Sequence, residues 1–275
     1  FQSLSRALSS SSESDTLHAV IAPTHRSFYD FLIVSYICFS LPELGFDMPH
    51  IAAASDFESI PFIGWLARKS HAFFLNRSGS KNEHNLEEDI MKITKGNRGP
   101  VFIEAFIEGK RSRNGTFIKP KTGFLRCLAG TALEYIILPI TINYEGIPDQ
   151  ISLMNEANYG HREEMSLKRL LQWMYNVVAG RVFIGRVYVS ASEAIPLVRD
   201  KCITELAHTI QIRQQSRVAV SSYHIKATSL VLGLSEEVVI EALAELGCQR
   251  WPTTLESELS STIHVPKDGD FLWAA

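Results

Sequence analysis

The chain has 275 residues, 45% hydrophobic and 21% charged, with a net charge of −3. This describes a globular protein, one large domain or a domain with an appendage, without the basic field a nucleic-acid partner requires. Its four cysteines, Cys38, Cys127, Cys202 and Cys248, are scattered and form no Cys-x-x-Cys pair. This argues against a disulfide framework or zinc site and for a reducing compartment.

The first 15 residues are Ser-rich, begin without Met and lack the apolar core of a signal peptide. They are expected to form a disordered lead. Residues 18–23 are a short apolar strand. Residues 28–41 follow as a buried helix stopped near Pro42; their apolar run is far shorter than the ~20 residues that span a bilayer. Strands are expected at 50–54 and 72–75, with an amphipathic helix at 60–69 between them. A polar helix over 83–95 closes at Gly96.

Residues 101–107 form a strong strand, followed by a polar loop over 108–120. A helix over 123–133 leads into an Ile-rich strand over 135–144. Residues 146–163 have no apolar period and are expected to be loop. Helix 167–178, strand 181–189 and helix 200–215 complete the alternation. Strands alternating with helices predict an α/β fold, a central mostly parallel sheet flanked by helices. This domain spans 16–217, and 218–275 is a short helical C-terminal extension.

The first chemical signal is His25-Arg-Ser-Phe-Tyr-Asp30, at the carboxyl end of the first strand, where active sites of α/β folds gather. Asp30 beside one imidazole nitrogen would fix the tautomer and leave the other to take a proton from a hydroxyl. His84 and Asp89 share the spacing but lie among Glu83, Glu87, Glu88 and Lys92, the pattern of a solvated helix face. The second signal is Glu108-Gly-Lys-Arg-Ser-Arg113 at the end of the strand over 101–107. Gly109 permits a tight turn, and Arg111 and Arg113 point the same way if the segment stays extended. Two guanidiniums on one side suit a phosphate. Arg77 ends another apolar strand, Ala72-Phe-Phe-Leu75, and could converge on the same rim. Pro139, inside the Ile-rich strand, cannot donate to a ladder and argues for a strand end or a kink lining the site.

These four segments, in this order, resemble the four motifs of the glycerolipid acyltransferase superfamily, in its glycerol-3-phosphate and dihydroxyacetone-phosphate acyltransferase branch. The His-Arg-Ser-x-x-Asp form of the first motif is characteristic of that branch. The similarity spans roughly 18–145. Asn76 stands where the branch usually has Arg, and Lys110 where it usually has Thr or Gly.

By that resemblance His25 is the catalytic base and Asp30 its partner. Arg77, Glu108, Gly109, Arg111 and Arg113 match positions that bind the phosphorylated acceptor, and Pro139 a motif tied to acyl-donor binding or site shape. The implied reaction moves a fatty acyl group from acyl-CoA to a hydroxyl of glycerol 3-phosphate or dihydroxyacetone phosphate. Backbone donors near the first motif are candidates for the oxyanion. A lysophosphatidate acceptor is the alternative within the class, and a non-catalytic acyl-CoA or lipid-binding protein the alternative outside it. No metal or resident cofactor is implied; acyl-CoA is a co-substrate. Partly membrane-soluble reactants imply a peripheral membrane surface, with the apolar faces of 57–65 and 170–178 as candidates.

Overall fold

The computed structural model of the chain describes residues 2–9, 16–40, 45–54, 63–75, 83–97, 99–113, 115–160, 167–182, 185–199 and 201–250. Its centre is a seven-stranded sheet. The strands are β1 (Leu17–Pro23), β2 (His50–Ala54), β3 (Ala72–Leu75), β4 (Phe102–Glu104), β5 (Glu134–Tyr144), β6 (Val187–Ala191) and β7 (Ile195–Pro196). They run in the order β3-β2-β4-β1-β5-β6, with β7 also on β5. The pairs β1–β4, β1–β5, β2–β3 and β2–β4 are parallel, while β6 and β7 run antiparallel to β5. The sheet is mostly parallel and flanked by helices, as the alternation of elements predicts.

β1 is buried from His18 to Pro23, the signature of a central strand covered on both faces. Alternate side chains therefore enter two cores. One face carries Val20, Ala22, Ile103, Tyr135 and Ile137. Ile90 of α4 (Glu83–Gly96), Leu125 and Leu128 of α5 (Gly123–Gly130), and Ala207 and Ile210 of α8 (Ile203–Gln215) pack on it. The other carries Ala19, Ile21, Phe102, Leu138 and Ile140, under Val34 and Cys38 of α2 (Asp30–Ser40) and Leu4 of α1 (Gln2–Ser9). α3 (Ile63–Lys69) joins β2 to β3.

Several elements differ from the sequence reading. The expected disordered lead contains α1, whose Leu4 is fully buried and gives the helix a docking point in the second core. α2 is not buried all round. It buries Asp30, Val34 and Cys38 and turns Phe31, Leu32, Tyr36 and Phe39 outward. β4 is shorter than expected, because the chain leaves the ladder after Glu104 to build the site loop. Residues expected to be loop contain α6 (Gln150–Tyr159), ended by Gly160 in the left-handed conformation at φ 66°.

Pro139 is not a strand end. It lies inside β5, opposite Ala22 of β1, and its carbonyl accepts from Ser192 N at 3.0 Å. Ser192 belongs to the interruption between β6 and β7, so the missing proline donor faces the place where the antiparallel neighbour breaks.

After α7 (Leu167–Val178) and α8, the C-terminal extension holds α9 (Ser222–Leu232) and α10 (Glu236–Glu245). It also holds a short parallel pair, β8 (Ala219–Val220) with β9 (Gln249–Arg250). Residues 251–275 lie outside the described residues. His224 pins α9 to the domain: its Nε2 donates to Tyr144 O at 3.0 Å while its Nδ1 accepts from Ser221 N at 3.0 Å.

Candidate active site

β1 and β4 lie side by side, so their carboxyl ends deliver two loops to one place. The first loop carries His25 and opens α2 with Asp30; the second carries Glu108 to Arg113. Ser112 N donates to His25 O at 3.3 Å, and Glu108 Oε1 accepts from His25 N at 3.0 Å. The other Glu108 oxygen accepts from Ile118 N at 3.3 Å. Glu108 is 1% exposed and ties both ends of its own loop to the histidine backbone.

His25 Nδ1 lies 3.0 Å from Asp30 Oδ2. The imidazole is 21% exposed and the carboxylate 0% exposed, so the ring faces outward while its partner is sealed. Asp30 Oδ2 also accepts from Arg26 N at 2.7 Å and Ser27 N at 2.9 Å. Oδ1 accepts from the Tyr144 hydroxyl at 2.7 Å. Phe106 covers the imidazole at 4.3 Å between ring centroids. With Nδ1–H donating to Asp30, Nε2 is the nitrogen with a lone pair for a substrate proton.

The backbone donors of 26 and 27 are committed to Asp30, and Tyr29 N to Ser27 Oγ at 3.1 Å. They do not form the oxyanion site expected near this motif. Burial and the Asp30 charge push the Tyr144 hydroxyl well above its ordinary value, which keeps it a neutral donor. Arg26 is also buried. Its Nη1 donates to Thr116 O at 3.0 Å, and its guanidinium lies 4.4 Å from the Phe117 ring centroid. Burial lowers its pKa from the ordinary value, opposed by Glu108 and Asp30.

Arg111 and Arg113 do converge, but on carboxylates. Arg111 Nη1 donates to Asp149 Oδ2 across a short contact, and its guanidinium stacks 3.6 Å from the Phe28 ring centroid. Its Nη2 is 3.7 Å from Glu156 Oε1. Arg113 reaches Glu156 Oε2 from Nε at 3.2 Å and from Nη2 at 3.1 Å. The Ser27 hydroxyl donates to Asp149 Oδ1 at 2.6 Å, closing a chain from the first motif through α6 to the third. Burial pushes the Asp149 carboxyl up, and Arg111 and Ser27 act against it.

The sequence model of the Acyltransferase family matches residues 9–143, which contain His25, Asp30 and the loop over 108–113. Residues 9–143 are a domain of the acyltransferase family. The chain is 31% identical over 196 residues to a glycerol-3-phosphate acyltransferase of Xylella fastidiosa (strain 9a5c), and 32% identical over 186 residues to one of Xanthomonas axonopodis pv. citri. Those alignments cover 68% and 65% of this chain but 21% and 20% of the relatives, so the chain spans about one fifth of their length. Among solved structures it is similar to the 1-acyl-sn-glycerophosphate (LPA) acyltransferase PlsC of Thermotoga maritima. That match has 17% identity and a TM-score of 0.42, covering 73% of this chain and 70% of that one.

Within this acyltransferase domain, Gly109 has φ +67°, and a Cβ there would stand 2.8 Å from Lys121 Cδ. Its role is to turn the loop between Glu108 and the arginines. Arg77 lies outside the described residues. His84 lies on α4, where Asp89 pairs with Lys92 at 3.4 Å on an exposed surface. Cys38, the cysteine nearest the pair in sequence, is buried in the second core, and burial pushes its thiol up to about 12. That keeps it a thiol rather than a nucleophilic thiolate near neutral pH. Tyr144, Asp149 and Glu156 did not emerge from the sequence. The available signals were the parity of β5, which puts Tyr144 on the α2 face with Leu138, and Asp149 and Gly160 as start and stop of a helix.

Proposed function

We propose that this chain transfers a fatty acyl group from acyl-CoA to a hydroxyl of glycerol 3-phosphate or dihydroxyacetone phosphate. The observation that carries this reading is the 3.0 Å contact of His25 Nδ1 with sealed Asp30, with the imidazole partly open and two arginines on the adjoining loop. Nε2 of His25 takes the proton of the acceptor hydroxyl as its oxygen attacks the thioester carbonyl carbon. The tetrahedral intermediate collapses, the carbon–sulfur bond breaks, and the departing CoA thiolate recovers the proton from His25. Asp30 stabilises the imidazolium between those steps. Arg111 and Arg113, with Arg77, hold the acceptor phosphate and turn an encounter into an oriented reaction. Glu108 and Gly109 shape that loop, and Pro139 acts through β5 on the shape of the site. The reaction as proposed uses no resident cofactor or metal.

The domain works at a membrane surface facing a reducing compartment. Phe31, Leu32, Tyr36 and Phe39 of α2, directly after Asp30, and Leu171, Tyr175 and Val178 of α7 are exposed and apolar enough to rest on lipid. Residues 57–62 of the other expected membrane face lie outside the described residues. No helix among the described residues is long and apolar enough to cross a membrane.

The deciding assay offers labelled palmitoyl-CoA with glycerol 3-phosphate, dihydroxyacetone phosphate or lysophosphatidate, and reads the acylated product. Product from either small acceptor supports the reading. Product from lysophosphatidate alone replaces it with the lysolipid reaction. Binding of acyl-CoA without turnover on any acceptor makes the chain a binding protein.

A further inference from the structure

Two carboxylates of the α6 segment occupy the cations that the proposed reaction assigns to the acceptor phosphate, and the two are held differently. Asp149 is 3% exposed and fixed on both oxygens, by Ser27 on one and Arg111 on the other. Arg111 is fixed in turn by the Phe28 ring beneath it. Among the described residues, the Glu156 carboxylate meets the two arginines: 3.7 Å to Arg111 Nη2, then 3.2 and 3.1 Å to Arg113, whose side chain is 37% exposed. One carboxylate bridging two guanidiniums is the pattern a phosphate presents with its own oxygens.

We propose that Glu156 sets acceptor affinity by competing with the acceptor phosphate for Arg111 and Arg113, while Asp149 positions Arg111 for both. This rests on the reading that those arginines bind the phosphate. An acceptor without a strong anionic group cannot displace a carboxylate already seated on two cations. A phosphate, with higher charge and a third oxygen, can take the same donors. Asp149 stays in place during the exchange because the Ser27 hydroxyl holds its other oxygen. Glu156 therefore lowers, by one common factor, the affinity of every acceptor that must displace it, so an internal competitor sets the acceptor concentration the site needs.

The test measures equilibrium binding of glycerol 3-phosphate to the full chain by calorimetry, for the wild type, Glu156→Gln and Arg111→Ala. Glutamine keeps an acceptor oxygen toward Arg113 and removes the charge. Glu156→Gln is expected to bind about 3–10-fold tighter, since a partly buried ion pair competes with modest strength. Its KM for the acceptor should fall with kcat and the KM for acyl-CoA unchanged, a split that a loss of folding does not give. Affinity equal to or weaker than wild type overturns the inference. Arg111→Ala reports separately on the phosphate reading: unchanged affinity there defeats that reading whatever Glu156→Gln does, and absence of binding in all three defeats both.

Discussion

The Tyr144 hydroxyl donates to Asp30 Oδ1 at 2.7 Å, joining residues 114 positions apart in the chain. Tyr144 is the last residue of β5, and Asp30 is the first of α2. The bond therefore locks the start of the helix to the sheet and sets the angle from which Asp30 meets His25. Among the described residues it is the longest-range hydrogen bond that either member of the candidate catalytic pair makes.

Removing that hydroxyl leaves a buried carboxylate oxygen without its donor. Tyr144→Phe is expected to cost about 1.5–3 kcal/mol of stability, the range for a hydrogen bond to a charged group. It should lower kcat by about 10-fold through the loosened Asp30, with the KM for acyl-CoA unchanged. Denaturant unfolding and steady-state kinetics measure both. Wild-type kcat in this variant would remove Tyr144 from the account.

Glu108 makes a different kind of tie, because both its oxygens accept backbone N–H groups. In Glu108→Gln one of those N–H groups faces an amide NH2 instead of an acceptor. The expected cost is about 1–3 kcal/mol. kcat should fall by about 10–100-fold, since a small displacement of a reacting group is costly. A variant that loses acceptor affinity but keeps kcat would show that Glu108 serves the substrate rather than the His25 backbone.

Much of this arrangement was legible because the relevant signals are local. β1 and β5 are near-continuous apolar runs, as central strands are. His25 stands at the end of one of them, and the arginines follow at fixed distances. The acidic half of the site was not legible. Gln150–Tyr159 has a polar composition without an apolar stripe, so it read as loop, although it brings Glu156 to both arginines. Tyr144 looked like one more core residue, because nothing local distinguishes a tyrosine that caps a distant carboxylate. Glu104 was hidden in the same way, inside the apolar run Val101-Phe-Ile-Glu-Ala-Phe-Ile107.

Glu104 is fully buried, and among the described residues neither of its oxygens has a hydrogen-bond partner. Burial first, and the Asp30 charge second, raise its pKa well above the ordinary 4.5. In the unfolded chain it ionises near 4.5, while in the folded protein it keeps its proton to higher pH. Across that interval the folded state binds more protons, so this group's contribution to stability falls as pH rises. The melting temperature of Glu104→Gln relative to wild type should therefore increase as pH is raised from about 4.5 toward 8. Parallel melting curves for the two proteins across that range would contradict the assignment.

The central claim is that Nε2 of His25 removes the proton from the acceptor hydroxyl. Its most direct test is the single-turnover rate of palmitoyl transfer from labelled palmitoyl-CoA to glycerol 3-phosphate, in wild type and His25→Ala, with both substrates saturating. Loss of a positioned general base predicts a rate roughly 10²–10⁴-fold lower in His25→Ala, with binding of both substrates retained. A His25→Ala rate equal to wild type would contradict it.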